Sequence, residues 1–406
     1  MAGRPRLGQV DAMRPIKQAG VVATHVLIYF APPWGNETSN AALLLLHACR
    51  ETFFFVSACM LTYAHMDLRR GGYRRFYWRR FVAVGIPYLC WDVIYWLWGM
   101  RGGGPPSVSV ALGHLVRLLA TGYNQLYFLL VIMQFYVLYP LVLALLKRTR
   151  GHHGLVIAVT ALAQLAICIA THWHLLPAFW VTYAQENALS YVLYLVGGAV
   201  VAFHLDQVDL WLRRNAHLVV ALTLLAALFA EIVYYLSKQG VTTVLGYGSD
   251  PFQPSVIPFN VGAIACVYLA GVFLVRPWRS RRVRAWVRVG VDNAYGVYLS
   301  QLLFITFLND HGWRNLSEHI SWPLVIGMTV VIVYACGVLL TSLLARTPLA
   351  VPLTGRKQVP WSTLLPRQWR SGPAAAGPTQ PGVAASRSPE PATLAGGTDN
   401  QNGTRP

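Results

Sequence analysis

Charge is scarce in this chain. Only 12% of its 406 residues are Asp, Glu, Lys or Arg, about half the roughly 25% of a soluble protein, which excludes an ordinary soluble enzyme. Acidic side chains are fewest, 15 against 33 Lys and Arg. No Walker loop, dinucleotide glycine motif or nucleophile elbow occurs, so the common nucleotide-binding and hydrolase classes lose their signatures. The six cysteines (Cys49, Cys59, Cys90, Cys168, Cys266, Cys336) all lie in apolar runs and form no paired motif. They read as small buried residues, and neither disulfides nor a metal is expected. The apolar runs lack strand-like alternation, which excludes a membrane β-barrel. The first run is too long for a cleavable signal peptide, so none is expected.

Apolar residues make up 55% of the chain, in long runs that recur along residues 15–345. The fold class expected is therefore an all-α polytopic membrane protein. About ten transmembrane helices are placed near 15–33, 41–65, 81–100, 123–146, 154–171, 188–205, 216–236, 256–275, 291–308 and 322–344. With the N-terminus in the cytoplasm, 28 Lys and Arg fall on that side and only Arg101, Arg117, Lys238 and Arg314 outside. That asymmetry sets N- and C-termini cytoplasmic. Residues 1–14 then form a cytoplasmic N-terminus, 15–345 the membrane domain and 346–406 a cytoplasmic tail, disordered from Ser371 onward by its Pro/Gly/Ala/Ser/Thr content. The basic surplus is a topology signal that attracts anionic membrane lipid; no nucleic acid partner is expected. Arg far outnumbers Lys and Ala is abundant, pointing to a high-GC bacterial genome and hence to the cell (cytoplasmic) membrane.

Against this background, ionisable groups inside the spans stand out. Arg14 sits at the mouth of the first span, and His25 lies about 16 Å deeper along a helix. Ionisable groups at that depth are costly enough to suggest function, although a polar contact between helices would also explain an imidazole. The second span carries His47, Arg50 and Glu51, with Glu51 near the depth of His25. One reading is a structural Arg50–Glu51 pair. The other is a base, His25, oriented by Glu51, with Arg50 facing developing negative charge. Arg79 and Arg80 open the third span beside the expected position of Arg14, where guanidinium forks suit a phosphorylated ligand. Arg69, Arg70, Arg74 and Arg75, and the 276–288 segment, read better as headgroup anchors. Asp92 and Glu231 lie in or near the membrane without an assignable role.

Taken in order, these segments resemble the acyltransferase-3 family of multi-pass membrane acyltransferases. The resemblance rests on Asp11, Arg14 and His25, on Glu51-Thr-Phe-Phe-Phe-Val-Ser57, on Tyr77-Trp-Arg-Arg-Phe with Ile86-Pro-Tyr88, on Leu126-Tyr-Phe-Leu with Tyr136 and Pro140, and on Tyr295-Gly-Val-Tyr-Leu. It spans about residues 10–345 and is of the stand-alone, membrane-only type. Three positions depart from the family pattern: Ala58 for Gly, Ala83 for Arg and Gln301 for His; the last puts a second catalytic histidine in doubt. The resemblance implies transfer of an acyl group, typically acetyl, from cytoplasmic acyl-CoA to a hydroxyl of a glycan, lipid or small metabolite. His25 would serve as base or relay, Glu51 would orient it, Arg50 would stabilise the oxyanion, and Arg14, Arg79 and Arg80 would bind the CoA phosphates. The rivals are a transporter using the same buried charges as a relay, which the lack of internal repeats disfavours, and a scaffold whose ion pair is only structural.

Overall fold

A computed structural model describes residues 7–31, 37–103, 107–241, 244–246, 248, 250–275 and 280–361. The helices in chain order are α1 (Gly8–Phe30), α2 (Glu37–Leu46), α3 (Ala48–His65), α4 (Tyr73–Gly99), α5 (Val108–Thr121), α6 (Tyr127–Arg148), α7 (His153–His172), α8 (Ala178–Thr182), α9 (Val192–Phe203), α10 (Leu205–Arg214), α11 (Ala216–Lys238), α12 (Val256–Leu274), α13 (Arg281–Asp310), α14 (Trp322–Leu344) and α15 (Ala350–Thr354). The protein is an all-helical polytopic membrane protein: among the described residues, seven helical segments are long and apolar enough to cross a bilayer, α2 and α3 counting together as one. The α9–α10 pair, bent by 98°, makes an eighth if it is one span.

Each of the ten expected spans coincides with a helix, yet α1 and α13 are absent from the seven that pass on apolarity. Their position explains this. α1 packs against α2, α3, α12, α13 and α14, so protein rather than lipid covers it. It can therefore bury Lys17, Gln18 and Thr24, while α13 buries Asn293, Ser300 and Gln301. Polar groups are tolerated at membrane depth where neighbouring helices satisfy them: Gln18 donates to Gln301 at 3.4 Å across the α1–α13 contact.

Two boundaries differ from expectation. α1 starts at Gly8 and runs through Pro15, burying Val10, Ala12 and Met13, because Val56 of α3 and Tyr268 and Val272 of α12 pack on these two extra turns. The compact unit runs on past the expected domain edge at 345, as far as Val359. Beyond α14, Trp91 donates to the Leu353 carbonyl at 3.0 Å, Arg356 pairs with Asp292 at 3.1 Å, and Val359 N–H donates to Ala345 at 2.8 Å. These polar partners hold a segment whose composition reads as loose. The expected disordered stretch 371–406 lies outside the described residues.

α3 and α9 meet most closely, over Gly197 and Gly198. A Cβ at Gly198 would collide with the Phe55 carbonyl of α3, so no larger side chain permits this approach, which lets α9 hold its neighbours against the second span. We expect Gly198→Val to destabilise the protein by about 1–3 kcal/mol or more through overpacking, seen as a lowered Tm of the detergent-solubilised chain, with Gly197→Ala much milder.

Candidate functional site

Three interior helices shape the site. On α1, Arg14, Lys17, Val21, Thr24, His25 and Ile28 recur at three- and four-residue steps and so form one stripe. On α3 the facing stripe is Arg50, Phe53, Ser57 and Met60; on α13 it is Val291, Ala294, Tyr295 and Tyr298. These stripes enclose two chambers. One, of about 180 Å³, is lined by Arg14, Lys17, Ser57 and Tyr295. The other, of about 370 Å³, is lined by His25, His47, Arg50, Asn124, Gln125 and Gln185 among others.

His25 Nδ1 lies 2.8 Å from the Val21 carbonyl. A carbonyl only accepts, so that contact places the hydrogen on Nδ1 and leaves Nε2 as the proton-accepting nitrogen of the neutral ring. His47 repeats the pattern on the Leu43 carbonyl at 2.6 Å. It sits where α2 breaks into α3, so a residue that reads as a rim histidine becomes part of the chamber wall.

The partner of His25 is therefore a backbone carbonyl, where the sequence suggested Glu51. Glu51 instead takes two hydrogen bonds from Arg50, at 3.0 Å from Nε and 2.6 Å from Nη2. The pair is adjacent in sequence, but the long guanidinium arm folds back on the carboxylate while its flank stays in the chamber wall. Arg50 also stacks on Phe252 at 4.7 Å and on Tyr191 at 5.1 Å. Burial and aromatic packing thus fix a guanidinium in the wall of the chamber that His25 also lines, and Glu51 acts through it.

The remaining wall is a tight turn that sequence reasoning passed over. Gly122 has φ +78°, and a Cβ there would strike the Tyr127 backbone. Asn124 follows with φ +38°, a costly conformation for a non-glycine residue of the kind that gathers at functional sites. Asp92, fully buried, accepts from Tyr123 N–H at 2.8 Å. Tyr298 donates to the Gln125 carbonyl, and Gln125 donates to Tyr95 at 3.3 Å. The Leu126-Tyr-Phe and Tyr295-Gly-Val-Tyr segments thereby meet, and Asp92 gains a role: it holds the turn that presents Asn124 and Gln125.

The other expected ligand-binding residues are not gathered in one place. Arg14 lines the smaller chamber and pairs with Asp11 at 3.4 Å. Arg80 turns to the His65 ring at 3.3 Å and to Tyr136, and Arg79 is exposed; neither lines either chamber. The cation that accompanies Arg14 is Lys17, 3% exposed, with its ammonium over the Phe53 ring. Its only sequence signal is the three-residue step from Arg14. Gln301 is engaged with Gln18. Glu231 reaches neither chamber. Among the described residues no group of three or more His, Cys, Asp or Glu is gathered to hold a metal. An outer recess of about 680 Å³, lined by Trp173, His174, Glu186 and Asp250, shares Gln185 with the His25 chamber.

Comparison with known families matches the chain to the model of an acyltransferase domain over residues 7–341. No curated protein and no solved structure matches the chain.

Two outcomes follow from this geometry. Glu51→Ala strands Arg50 in the bundle and should cost about 3–5 kcal/mol, measured by thermal unfolding in detergent, whereas Glu51→Gln should cost less by keeping an acceptor. Asp92→Ala leaves Tyr123 N–H unpartnered, a loss of about 1–3 kcal/mol, and we expect it to disturb ligand binding in the His25 chamber before it disturbs helix content by circular dichroism.

Proposed function

From the chain's membership of the acyltransferase-3 family of membrane acyltransferases, we propose that it moves an acyl group, acetyl in the first instance, from acyl-CoA to a hydroxyl of a glycan, lipid or small-metabolite acceptor. The proposed setting is the cytoplasmic membrane, with both termini on the cytoplasmic face. Acyl-CoA then meets the end of the bundle where Arg14 and Lys17 line the smaller chamber, and the acceptor enters the larger one from the opposite side.

The observation that carries this reading is His25: its Nδ1 is committed to Val21 and its other nitrogen is left for a 370 Å³ chamber that also holds Arg50. A chamber of that size suits a small ligand. In the proposed step His25 Nε2 takes the proton of the acceptor hydroxyl as its oxygen attacks the thioester carbonyl. Negative charge gathers on the carbonyl oxygen, where the Arg50 guanidinium stabilises it. The carbon–sulfur bond then breaks, and the leaving thiolate recovers the proton from the imidazolium. Asn124 and Gln125 offer amide groups to orient the acceptor. Arg14 and Lys17 supply positive charge for the donor; Arg79 and Arg80 lie too far round the bundle to share that task.

The test is incubation of membranes with radiolabelled acetyl-CoA and cell-envelope extract. Label should reach a glycan or lipid fraction with the native chain and fall by about 10²–10⁴-fold with His25→Ala, the range for removal of a general base. Arg50→Lys, which keeps the charge and loses the planar fork, should slow transfer by about tenfold or more. Unchanged labelling by folded His25→Ala would overturn the assignment of the base.

A further inference from the structure

The two chambers share one lining side chain. Among the described residues that line them, Phe53 alone belongs to both. Its ring is only partly buried, as expected of a surface with space on two sides. On the His25 side it meets Phe128 edge-on at 4.2 Å and Tyr298 at 5.7 Å. On the Arg14 side the Lys17 ammonium lies over its face, 2.9 Å from the ring centre. Among the described residues no carboxylate pairs with Lys17, so the ring face is the electron-rich surface that receives this buried cation.

We infer that Phe53, latched by Lys17, is the partition between the two chambers and a positioning residue that any group passing from the Arg14 chamber to His25 must displace. Phe128 and Tyr298 are held by neighbours: Tyr298 is tied to the Gln125 carbonyl and Phe128 is clamped between Phe53 and Phe54, the latter at 4.3 Å. Phe53 is the member of the cluster with open space on both flanks, so a rotation about its own side-chain bonds joins the chambers without moving a helix. Lys17 lies about 12 Å from His25 along α1, a span that a thin, flexible arm bridges and a bulky nucleotide head does not. An acyl donor that carries its charge at one end of such an arm therefore leaves the charged end with Arg14 and Lys17 and sends only the thioester past Phe53. With the ring in place, water in the outer chamber is kept from the donor side, which protects a thioester from hydrolysis. The partition rests on geometry alone; its part in transfer rests on the acyl-CoA reading proposed above.

The two are tested separately. First, Ser57, in the wall of the Arg14 chamber, is changed to cysteine in the full chain reconstituted in vesicles, and a membrane-impermeant thiol reagent is added from one side at a time; the parent chain with its six cysteines gives the background. Ser57→Cys should react from the Arg14 side and be protected from the His25 side, and the added change Phe53→Ala should open it to both. Phe53→Leu and Lys17→Met guard against a folding defect: each should give partial opening with an unchanged elution profile in detergent. Labelling of Ser57→Cys from the His25 side with Phe53 intact, or continued protection in folded Phe53→Ala, would overturn the partition. This result does not depend on which donor the protein uses. Second, acetyl-CoA is supplied without acceptor. Phe53→Ala should release free CoA several-fold faster than the native chain by transfer of the acetyl group to water, and His25→Ala in the same background should remove the excess. A partition proven by labelling with no change in CoA release would overturn its role in transfer and leave the barrier standing.

Discussion

Arg50 and Glu51 bring opposite charges into the middle of a bundle that hydrocarbon surrounds, and separating them would strand both. Each partner is at most one tenth exposed. The guanidinium holds one carboxylate oxygen, Oε1, through two of its nitrogens and presses its faces on Tyr191 and Phe252. Those rings come from the start of α9 and from the segment before α12, so a single buried cation fixes two separate parts of the chain relative to α3. The close approach of α9 to α3 over Gly198 follows the same demand, since it brings Tyr191 within reach. An ion pair that contributes little net stability can still specify one arrangement, because the alternatives leave a charge without a partner.

The same demand sorts the helices. Those that face lipid, such as α6, α11 and α14, are apolar enough to cross a bilayer. α1 and α13 fall short on apolarity because they carry the working side chains, and they tolerate them only inside a ring of other helices. Membrane depth and polarity are thus reconciled by position in the bundle. The stripe from Arg14 to Ile28 faces inward along its whole length, and the chambers are the space left where facing stripes carry side chains of unequal size.

How much of this is legible in the sequence depends on what kind of signal each feature leaves. Apolar runs locate every main helix, since length and hydropathy are properties of single segments. Arg14, His25 and Arg50 are found because an ionisable residue within an apolar run is conspicuous alone. Asn124 and Gln125 escape because they look like ordinary boundary residues; only the fold shows that Gly122, Asp92 and Tyr298 converge to shape their turn. Arg79 and Arg80 show the converse: an Arg pair at a span end is visible, but its direction around the helix relative to α1 is a tertiary fact; Arg80 turns to His65 and Tyr136 while Arg79 is exposed. The assignment of Glu51 to His25 fails by a similar margin. Equal depth does not choose between two partners, and Arg50, its immediate neighbour, has the longer reach.

That Val21 rather than a carboxylate holds His25 has a chemical consequence. A buried carboxylate against the ring would stabilise the imidazolium and let it persist. A carbonyl fixes the tautomer and the direction of the ring but offers the cation only a dipole. On the proposed reaction, His25 Nε2 takes the proton from the acceptor and passes it to the leaving thiolate, while the Arg50 guanidinium in the same chamber faces the oxyanion. Such a site gains most from excluding water, because water would screen both effects, and an aromatic wall beneath the chamber serves that end.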